Sequence, residues 1–537
     1  MNAFANAAVD ESASTSQRIE RRAIAAMAVL TFVWLAALAW PRPLLLPDEG
    51  RYVGVAWEMM RSGDWLTPTL NGLPYFHKPP LFYWLTAASM TLFGPGEWAA
   101  RAASLLGAWV GAMAVVLFVR RWWGARAARL SLVALLAQPL FYVGGQFANL
   151  DMLVAGCITT TIVLLAHAAM SLHRRLPYKT ALAAAYAFAA LGVLAKGLIG
   201  LVIPILVVGA WLIALRRWRD IAALLWWPGA LLFLLLAAPW FLAMQVRFPG
   251  FLDYFFVVQH VKRFAAGGFN NVQPLWFYPA VLVLFTLPWL PWLRAHFKRG
   301  GWSDPQRGEL RLLMLLWIVM VLLFFSLPKS KLLGYILPAV PPLAVLLADG
   351  FESRVKAVNE RATRWWWASA GVSSAISIAA IAVLSVHPTK STKELAEVLR
   401  QQRGVGEPVF MLGNYDFDLP FYARLNGQTH VVLDWTSSEV HQRDNWRKEL
   451  ADAAAFAALR SRAALMQPEQ LAPAVCSHAV SWLVGSSTAV QEFPFLASAR
   501  AVSAVRGSTL WRVEAANPGV TGRLHCAGTP NADSASR

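Results

Sequence analysis

The sequence predicts an all-α polytopic membrane protein that continues into a small α/β domain. Three observations carry this expectation. Apolar residues make up 57% of the 537 and charged residues only 15%, well below the charged share of soluble domains. The apolar residues come in charge-free blocks, such as 23–40 and 130–150. A block of about 18 apolar residues crosses a bilayer as a helix, because only a helix satisfies its own backbone in hydrocarbon. After residue 388 the blocks stop, and short apolar runs alternate with polar helical segments.

The expected spans are 23–40, 102–119, 130–147, 152–170, 181–194, 198–215, 221–244, 275–293, 312–327, 332–347 and 366–386. Allowing for boundary error, this is about 11–13 transmembrane helices. Net charge is +18, and its placement follows the positive-inside rule. Arg18, Arg21 and Arg22 precede the first span, and Arg120, Arg121, Arg126 and Arg129 join the second and third. Arg174, Arg216, Arg294, Arg354, Lys356, Arg361 and Arg364 fall in later loops on the same side. That side is expected to be cytoplasmic, and an odd number of spans puts the C-terminal region outside. No basic stripe with interleaved aromatics stands apart from the apolar blocks, so nucleic acid is not an expected partner. Ala37-Leu38-Ala39 mimics a signal-peptidase site, but the apolar segment before it is long, and a retained anchor is expected.

Two domains follow: a transmembrane domain, 1–387, with long extracytoplasmic loops at 41–101 and 245–274, and a soluble extracytoplasmic α/β domain, 388–537. Long loops in compact folds are often functional. In the first, Arg51, Gly54, Glu58 and Arg61 make one polar stripe at helical spacing, which suggests an amphipathic helix on the membrane surface. In the soluble domain, 408–412, 429–433, 482–484 and 510–513 read as strands, and 395–401 and 446–460 as helices. Cys476 and Cys526 share this domain and would pair in an oxidising compartment, whereas Cys157 lies in an apolar span.

The residues that could carry chemistry gather at the outward ends of the spans. Asp48-Glu49 follow the first span, where two adjacent carboxylates at the bilayer surface point to a site; the bland alternative is an N-cap. Asn149-Leu150-Asp151 offers a second acid at the same face, again with an N-cap alternative. Tyr75-Phe76-His77-Lys78-Pro79-Pro80 sets a cation before a rigid turn, suited to a phosphate oxygen or to lipid headgroups. His260, Lys262 and Arg263 precede Gly267-Gly268 and Gln273-Pro274. Lys196, Lys329 and Lys331, with Tyr335 nearby, lie outward against the positive-inside trend. Together they suggest an anionic substrate at an acid-bearing centre, against the alternative of snorkelling lysines. P-loop, G-x-G-x-x-G, G-x-S-x-G and H-E-x-x-H patterns are missing, so no nucleotide cofactor is expected.

These residues resemble the polytopic GT-C glycosyltransferases, the family of protein O-mannosyltransferases and their bacterial relatives. Asp48-Glu49 looks like that class's acidic pair, Asp151 like its second acid, and His77–Trp84 and Ala195-Lys196-Gly197 like recurring segments. Residues 260–264, 273–278 and 326–338 more narrowly resemble the lipid A 4-amino-4-deoxy-L-arabinose transferases. The resemblance implies an inverting membrane glycosyltransferase of the bacterial inner membrane, with its active site facing the periplasm. Its donor would be a sugar on undecaprenyl phosphate and its acceptor a lipid A phosphate, with membrane lipids as surroundings. Asp48, Asp151 and Glu49 would be the catalytic acids. Tyr75, Lys78, Arg263, Lys331 and Tyr335 would bind the donor phosphate. Relatives often carry Glu where this chain has His77; a divalent metal stays open, with His77 and His260 as candidate ligands. A relative glycosylating a protein hydroxyl is the competing enzyme. A lipid or sugar transporter, which usually shows repeats and midplane charges, ranks below both.

Overall fold

The computed structural model describes residues 2–262, 271–297, 304–354, 360–388, 390–442, 445–524 and 526. The chain forms two compact units. The first comprises Met1–Pro41, Arg101–Ala237 and Gln273–Ala382; the second comprises Arg42–Ala100, Ala238–Val272 and Val383–Arg537. The protein is multi-pass. Among the described residues eight helices are long and apolar enough to cross a membrane, or nine if one bent pair counts as a span.

Each expected span falls mainly on helix, but the first helix ends at Ala36, the span at 221–244 is divided between Trp218–Leu224 and Trp227–Arg247, and proline reshapes several others. The span at 130–147 is two helices, Ala125–Ala137 and Pro139–Gly145, bent by 70°. Pro139 has no N–H to continue the first helix. The span at 275–293 is broken at Pro288 and Pro291. The span at 332–347 opens with a 3₁₀ segment, Leu333–Ala339, before the α-helix Val340–Arg354. Ile199–Ala214, at 16 residues, is shorter than the eight.

Backbone-to-backbone contact packs the first unit, as small residues allow where burial in lipid gives no hydrophobic drive. Helices Glu97–Trp123 and Leu150–His173 touch at Gly107 and Gly156. A Cβ on Gly156 would lie 2.1 Å from the Gly107 carbonyl oxygen. Gly192 and Gly200 play the same part between helices Lys179–Lys196 and Ile199–Ala214. Arg311 and Asp349 form a buried two-pronged ion pair at 2.6 and 3.0 Å.

The second unit holds a short hairpin, β1 (Thr69–Leu70) and β2 (Leu73–Pro74), and a six-stranded sheet. The sheet's strands are β3 (Val409–Leu412), β4 (His430–Val432), β5 (Leu465–Met466), β6 (Val480–Ser486), β7 (Arg500–Val505) and β8 (Ser508–Glu514), in the order β5-β4-β3-β6-β8-β7. β5, β4, β3 and β6 run parallel, and β8 and β7 add an antiparallel edge. Phe410, Leu412, Leu483 and Trp511 anchor its core. The expected α/β domain is therefore present, but the first-loop segment Arg42–Ala100 and the second-loop segment Ala238–Val272 belong to the same unit. Asn71 shows why: its side chain bonds Thr429 at the backbone carbonyl, the backbone N–H and the hydroxyl, at 2.8–3.0 Å.

The helix expected on the membrane surface is Asp48–Ser62, and it is buried on both faces. Its polar stripe meets protein. Glu58 accepts from the Asn71 and Gly72 N–H groups and the Thr69 hydroxyl at 2.6, 3.0 and 2.7 Å. Burial still holds the Glu58 carboxyl above its ordinary pKa, against these hydrogen bonds.

Cys476 and Cys526 form a disulfide, with Cα atoms 5.6 Å apart, and Cys157 is free and buried. Thiol labelling of denatured, unreduced protein should therefore modify Cys157 alone; a second labelled site would contradict the bridge. Closing the 50-residue separation predicts that Cys476→Ser lowers stability by roughly 2–4 kcal/mol.

Asp416 supplies a pH test. Burial, then the neighbouring Asp418 charge, pushes its carboxyl up to about 6. The protonated form fits the fold better, so its contribution is complete below the unfolded pKa near 4 and is lost as pH rises through 6. Asp416→Asn should raise stability at pH 7 by roughly 2–3 kcal/mol relative to its effect at pH 3.5. Thermal unfolding at the two pH values measures the difference; equal effects would refute the assignment.

Candidate active site

In the second unit the acidic motif starts the helix Asp48–Ser62. Neither acid caps it: the N-cap position is Pro47, and no side-chain cap bond forms. Glu49 is fully buried. Arg42 grips both its oxygens, Nη2 at 3.0 Å from Oε1 and Nη1 on Oε2, and the Leu45 N–H adds a bond of 2.9 Å. This carboxylate ties the preceding loop to the helix. Asp48 keeps 28% of its side chain exposed and pairs with Arg51 one turn on.

Arg51 organises the surroundings. Its Nη1 donates to both oxygens of Glu449 at 2.8 and 2.9 Å, and its guanidinium lies 5.0 Å from the Tyr52 ring centre. Burial opposes its charge, but Glu449, Tyr52, Tyr75 and Asp48 more than offset this and hold its pKa well above the ordinary value. Glu449 lies on the helix Trp446–Ala455. Tyr75 donates to Glu449 Oε2 at 3.4 Å, and burial and that carboxylate keep its phenol protonated far above its usual range. Tyr75 stacks on His77 at 5.1 Å. His77 Nε2 lies 3.0 Å from the Tyr254 hydroxyl, which donates to Asp452 at 3.1 Å and accepts from Gln259 at 3.0 Å. Tyr254 belongs to the π-helix Asp253–Lys262 of the second loop. Glu449 and Asp452, three apart, share a helix face. Lys78 follows His77 and is half-buried.

The first unit holds the other candidates. Asn149 caps the helix Leu150–His173 by accepting the Asp151 N–H at 2.8 Å. Asp151 is buried, bonds the Asn149 amide at 3.2 Å and pairs with Lys196. The Lys196 ammonium sits 4.3 Å from the Tyr335 ring centre. Gly334 lets Asp151 in, since a Cβ there would lie 2.2 Å from its Oδ2. Lys331 donates to the Gln273 and Pro328 carbonyls at 2.8 and 2.7 Å, and the Gln273 N–H bonds the Lys329 carbonyl at 3.0 Å. Lys331 thus fastens two of the segments that carried the resemblance, and burial lowers its pKa.

The structure brings Asp48, Tyr75 and His77 into one polar cluster, and Asp151 and Tyr335 into another. It sets Glu49 apart on Arg42. Arg263 and the side chain of His260 lie outside the described residues. No three His, Cys, Asp or Glu side chains come together as a metal site among the described residues. Sequence reasoning missed Glu449, Asp452 and Tyr254. The acids' spacing of three on an expected helix was visible, but it looks the same on any solvated helix.

Residues 42–255 match the Dolichyl-phosphate-mannose-protein mannosyltransferase family. The chain is 36% identical over 355 residues to the undecaprenyl phosphate-alpha-4-amino-4-deoxy-L-arabinose arabinosyl transferase of Aeromonas salmonicida, covering 65% of this chain and 63% of the relative. To a transferase of the same description from Sodalis glossinidius it is 37% identical over 350 residues, covering 64% and 61%. The chain is a GT-C-type membrane protein related to these transferases. It spans about 63% of the length of the first of these relatives. The crystal structure of ArnT from Cupriavidus metallidurans bound to undecaprenyl phosphate has the same fold, with a TM-score of 0.75 at 23% identity, over 91% of this chain and 97% of that one. The apo archaeal oligosaccharyltransferase of Archaeoglobus fulgidus is more distant, with a TM-score of 0.52 at 13% identity.

Gly50 follows the acidic pair. A Cβ there would lie 2.6 Å from Leu46 Cδ2 and 2.9 Å from the Asp418 backbone nitrogen. Gly50→Ala should destabilise the protein by about 1–3 kcal/mol, as overpacking does, and shift Asp48 with the helix start. Thermal unfolding together with turnover checks this; an unchanged variant would show that the helix start has room.

Proposed function

We propose that this protein is an inverting glycosyltransferase that moves a sugar, 4-amino-4-deoxy-L-arabinose, from undecaprenyl phosphate to a lipid A phosphate. We place it in the bacterial inner membrane with the active site facing the periplasm. The identity to the Aeromonas transferase, over a stretch covering 65% of the chain, carries this reading, and the GT-C fold supports it.

In the proposed reaction an acceptor phosphate oxygen attacks the anomeric carbon of the sugar. The bond from that carbon to the donor phosphate breaks, and undecaprenyl phosphate leaves with the electron pair. Negative charge grows on the departing phosphate, where positive groups stabilise the transition state. The resemblance to the transferases assigns that role to Lys78, Arg263 and Tyr335. The resemblance adds Tyr75 and Lys331 to the donor site; Glu449 engages the first, and two carbonyls the second. Asp151 holds Lys196 beside Tyr335. Asp48 is the acid left open to a substrate: its side chain is 28% exposed, against 0% for Glu49 and 9% for Glu449. It orients the acceptor or the sugar amine.

A membrane assay with radiolabelled polyprenyl-phosphate sugar, followed by separate extraction of lipid A and protein, tests the acceptor. Label in lipid A is expected; label in protein alone would favour a hydroxyl acceptor, as the mannosyltransferase family match suggests. With a hydroxyl acceptor Asp48→Asn removes a general base and lowers turnover about 10²–10⁴-fold. With a phosphate acceptor no proton needs removing, and the expected loss is smaller, with donor affinity intact. Wild-type turnover in Asp48→Asn would remove this acid from the site. Lys78→Ala should weaken donor binding through a lost charge-assisted contact; unchanged affinity would make it an interfacial lysine.

A further inference from the structure

A groove of about 900 Å³ lies in the first unit between segment 287–292 and the helix Glu360–Val386. Pro288 and Pro291 break the first wall, so its backbone does not fill the space against the second. The Ser369 hydroxyl donates to the Pro288 carbonyl at 2.7 Å and joins the two walls. Trp292, Trp365 and Val372 make the groove apolar, and among the described residues Arg361 is the one charged side chain that lines it.

Arg361 is exposed and has no hydrogen-bond or ion-pair partner among the described residues. The adjacent carboxylate, Glu360, is held by Arg364 at 3.2 Å. From Arg361 to Val372 the helix rises roughly 16 Å, about half of a hydrocarbon core of ~30 Å. The groove is therefore one leaflet deep, with a cation at one end and apolar walls below. By the positive-inside pattern the cluster of Arg361 and Arg364 falls on the N-terminal side of the membrane.

We propose that this groove holds one anionic glycerophospholipid, its phosphate on Arg361 and an acyl chain along Trp365 and Val372. The depth matches a lipid of a single leaflet, whereas a polyprenyl phosphate carries a far longer chain. A transmembrane helix of a partner would have to bring its own carboxylate for Arg361, since an unmatched charge is not tolerated against an apolar surface. The inference is independent of the proposed transferase activity.

The test is native mass spectrometry of the full chain in detergent, titrated with phosphatidylglycerol, phosphatidylcholine or undecaprenyl phosphate. Wild-type protein should prefer phosphatidylglycerol over phosphatidylcholine by about five-fold, the worth of one cation at an anionic headgroup. Arg361→Gln should abolish the preference, and Arg364→Gln should retain it. Ala368→Trp, which fills the groove, should weaken binding of both phospholipids. A photo-crosslinking phosphatidylglycerol provides a readout on unmodified protein, and it should label residues 361–372. An unchanged preference in Arg361→Gln, labelling only elsewhere, or Arg361-dependent binding of undecaprenyl phosphate alone would overturn the proposal. A dimer that Ala368→Trp dissociates, without change in lipid binding, would assign the groove to a partner helix instead.

Discussion

A guanidinium keeps its charge when it is taken out of water, so its burial is tolerated only where carboxylates meet it with good geometry. Arg51 is in that position, one turn into the helix that starts with the acidic pair. Glu449 meets it with both oxygens and Asp48 with one. Much of the second unit follows from satisfying this group. The helix Trp446–Ala455 must present Glu449, and Tyr75 is drawn to the same carboxylate. Asp452 on that helix then takes Tyr254, and Tyr254 takes His77. One buried cation thus fixes the HKPP segment and the π-helix of the second loop within a few ångströms of the Asp48 helix.

The first unit answers the same demand with a smaller set of groups. Lys196 ends a membrane helix where the positive-inside pattern does not place a cation, and Asp151 neutralises it. A glycine at position 334 is what admits the carboxylate. The backbone of 333–339 is then held so that the Tyr335 ring faces the ammonium. Lys331, three residues earlier, is satisfied by carbonyls rather than by an acid. A lysine bonded to carbonyls keeps its positive charge uncompensated, whereas Lys196 does not. Two lysines that look alike in sequence therefore differ in the field they offer an anion.

The membrane fold was legible because its signal is local: uninterrupted apolar blocks and arginine-rich loops on one side. The strands β3, β4, β6 and β8 were legible for the same reason, as buried apolar runs between turn residues. β5 has only two residues, and β7 is an edge strand with no fully buried residue and no large apolar side chain beyond two valines, so neither leaves a pattern. Asp48, Asp151 and Tyr335 could be found because charge beside a membrane block is conspicuous. Glu449 could not, because its partner lies 398 residues away and its own segment reads as an ordinary solvated helix. The stripe Arg51, Gly54, Glu58 and Arg61 was read correctly as polar but assigned to water. Periodicity reports that one face differs from the other, and it does not report whether lipid, water or protein covers it. Here protein covers both, with Glu58 taking two backbone N–H groups and a hydroxyl.

The arrangement around Asp48 bears on what kind of acceptor suits it. A carboxylate beside a hydroxyl acts best when little competes for its lone pairs, because it must accept the proton in the transition state. Asp48 already accepts from Arg51, whose charge Glu449 and Asp48 together anchor. A carboxylate so engaged has one oxygen committed to Arg51 and serves as a fixed dipole. Toward a phosphate acceptor the balance reverses. A bare carboxylate would repel an anion, but the paired Asp48 and Arg51 present a carboxylate oxygen and a buried cation side by side. Such a pair can hold an ammonium, such as the amine of the proposed sugar, without driving off a nearby phosphate. The pairing that looks wasteful for a general base is thus what an amino-sugar and a phosphate would require of the same few ångströms.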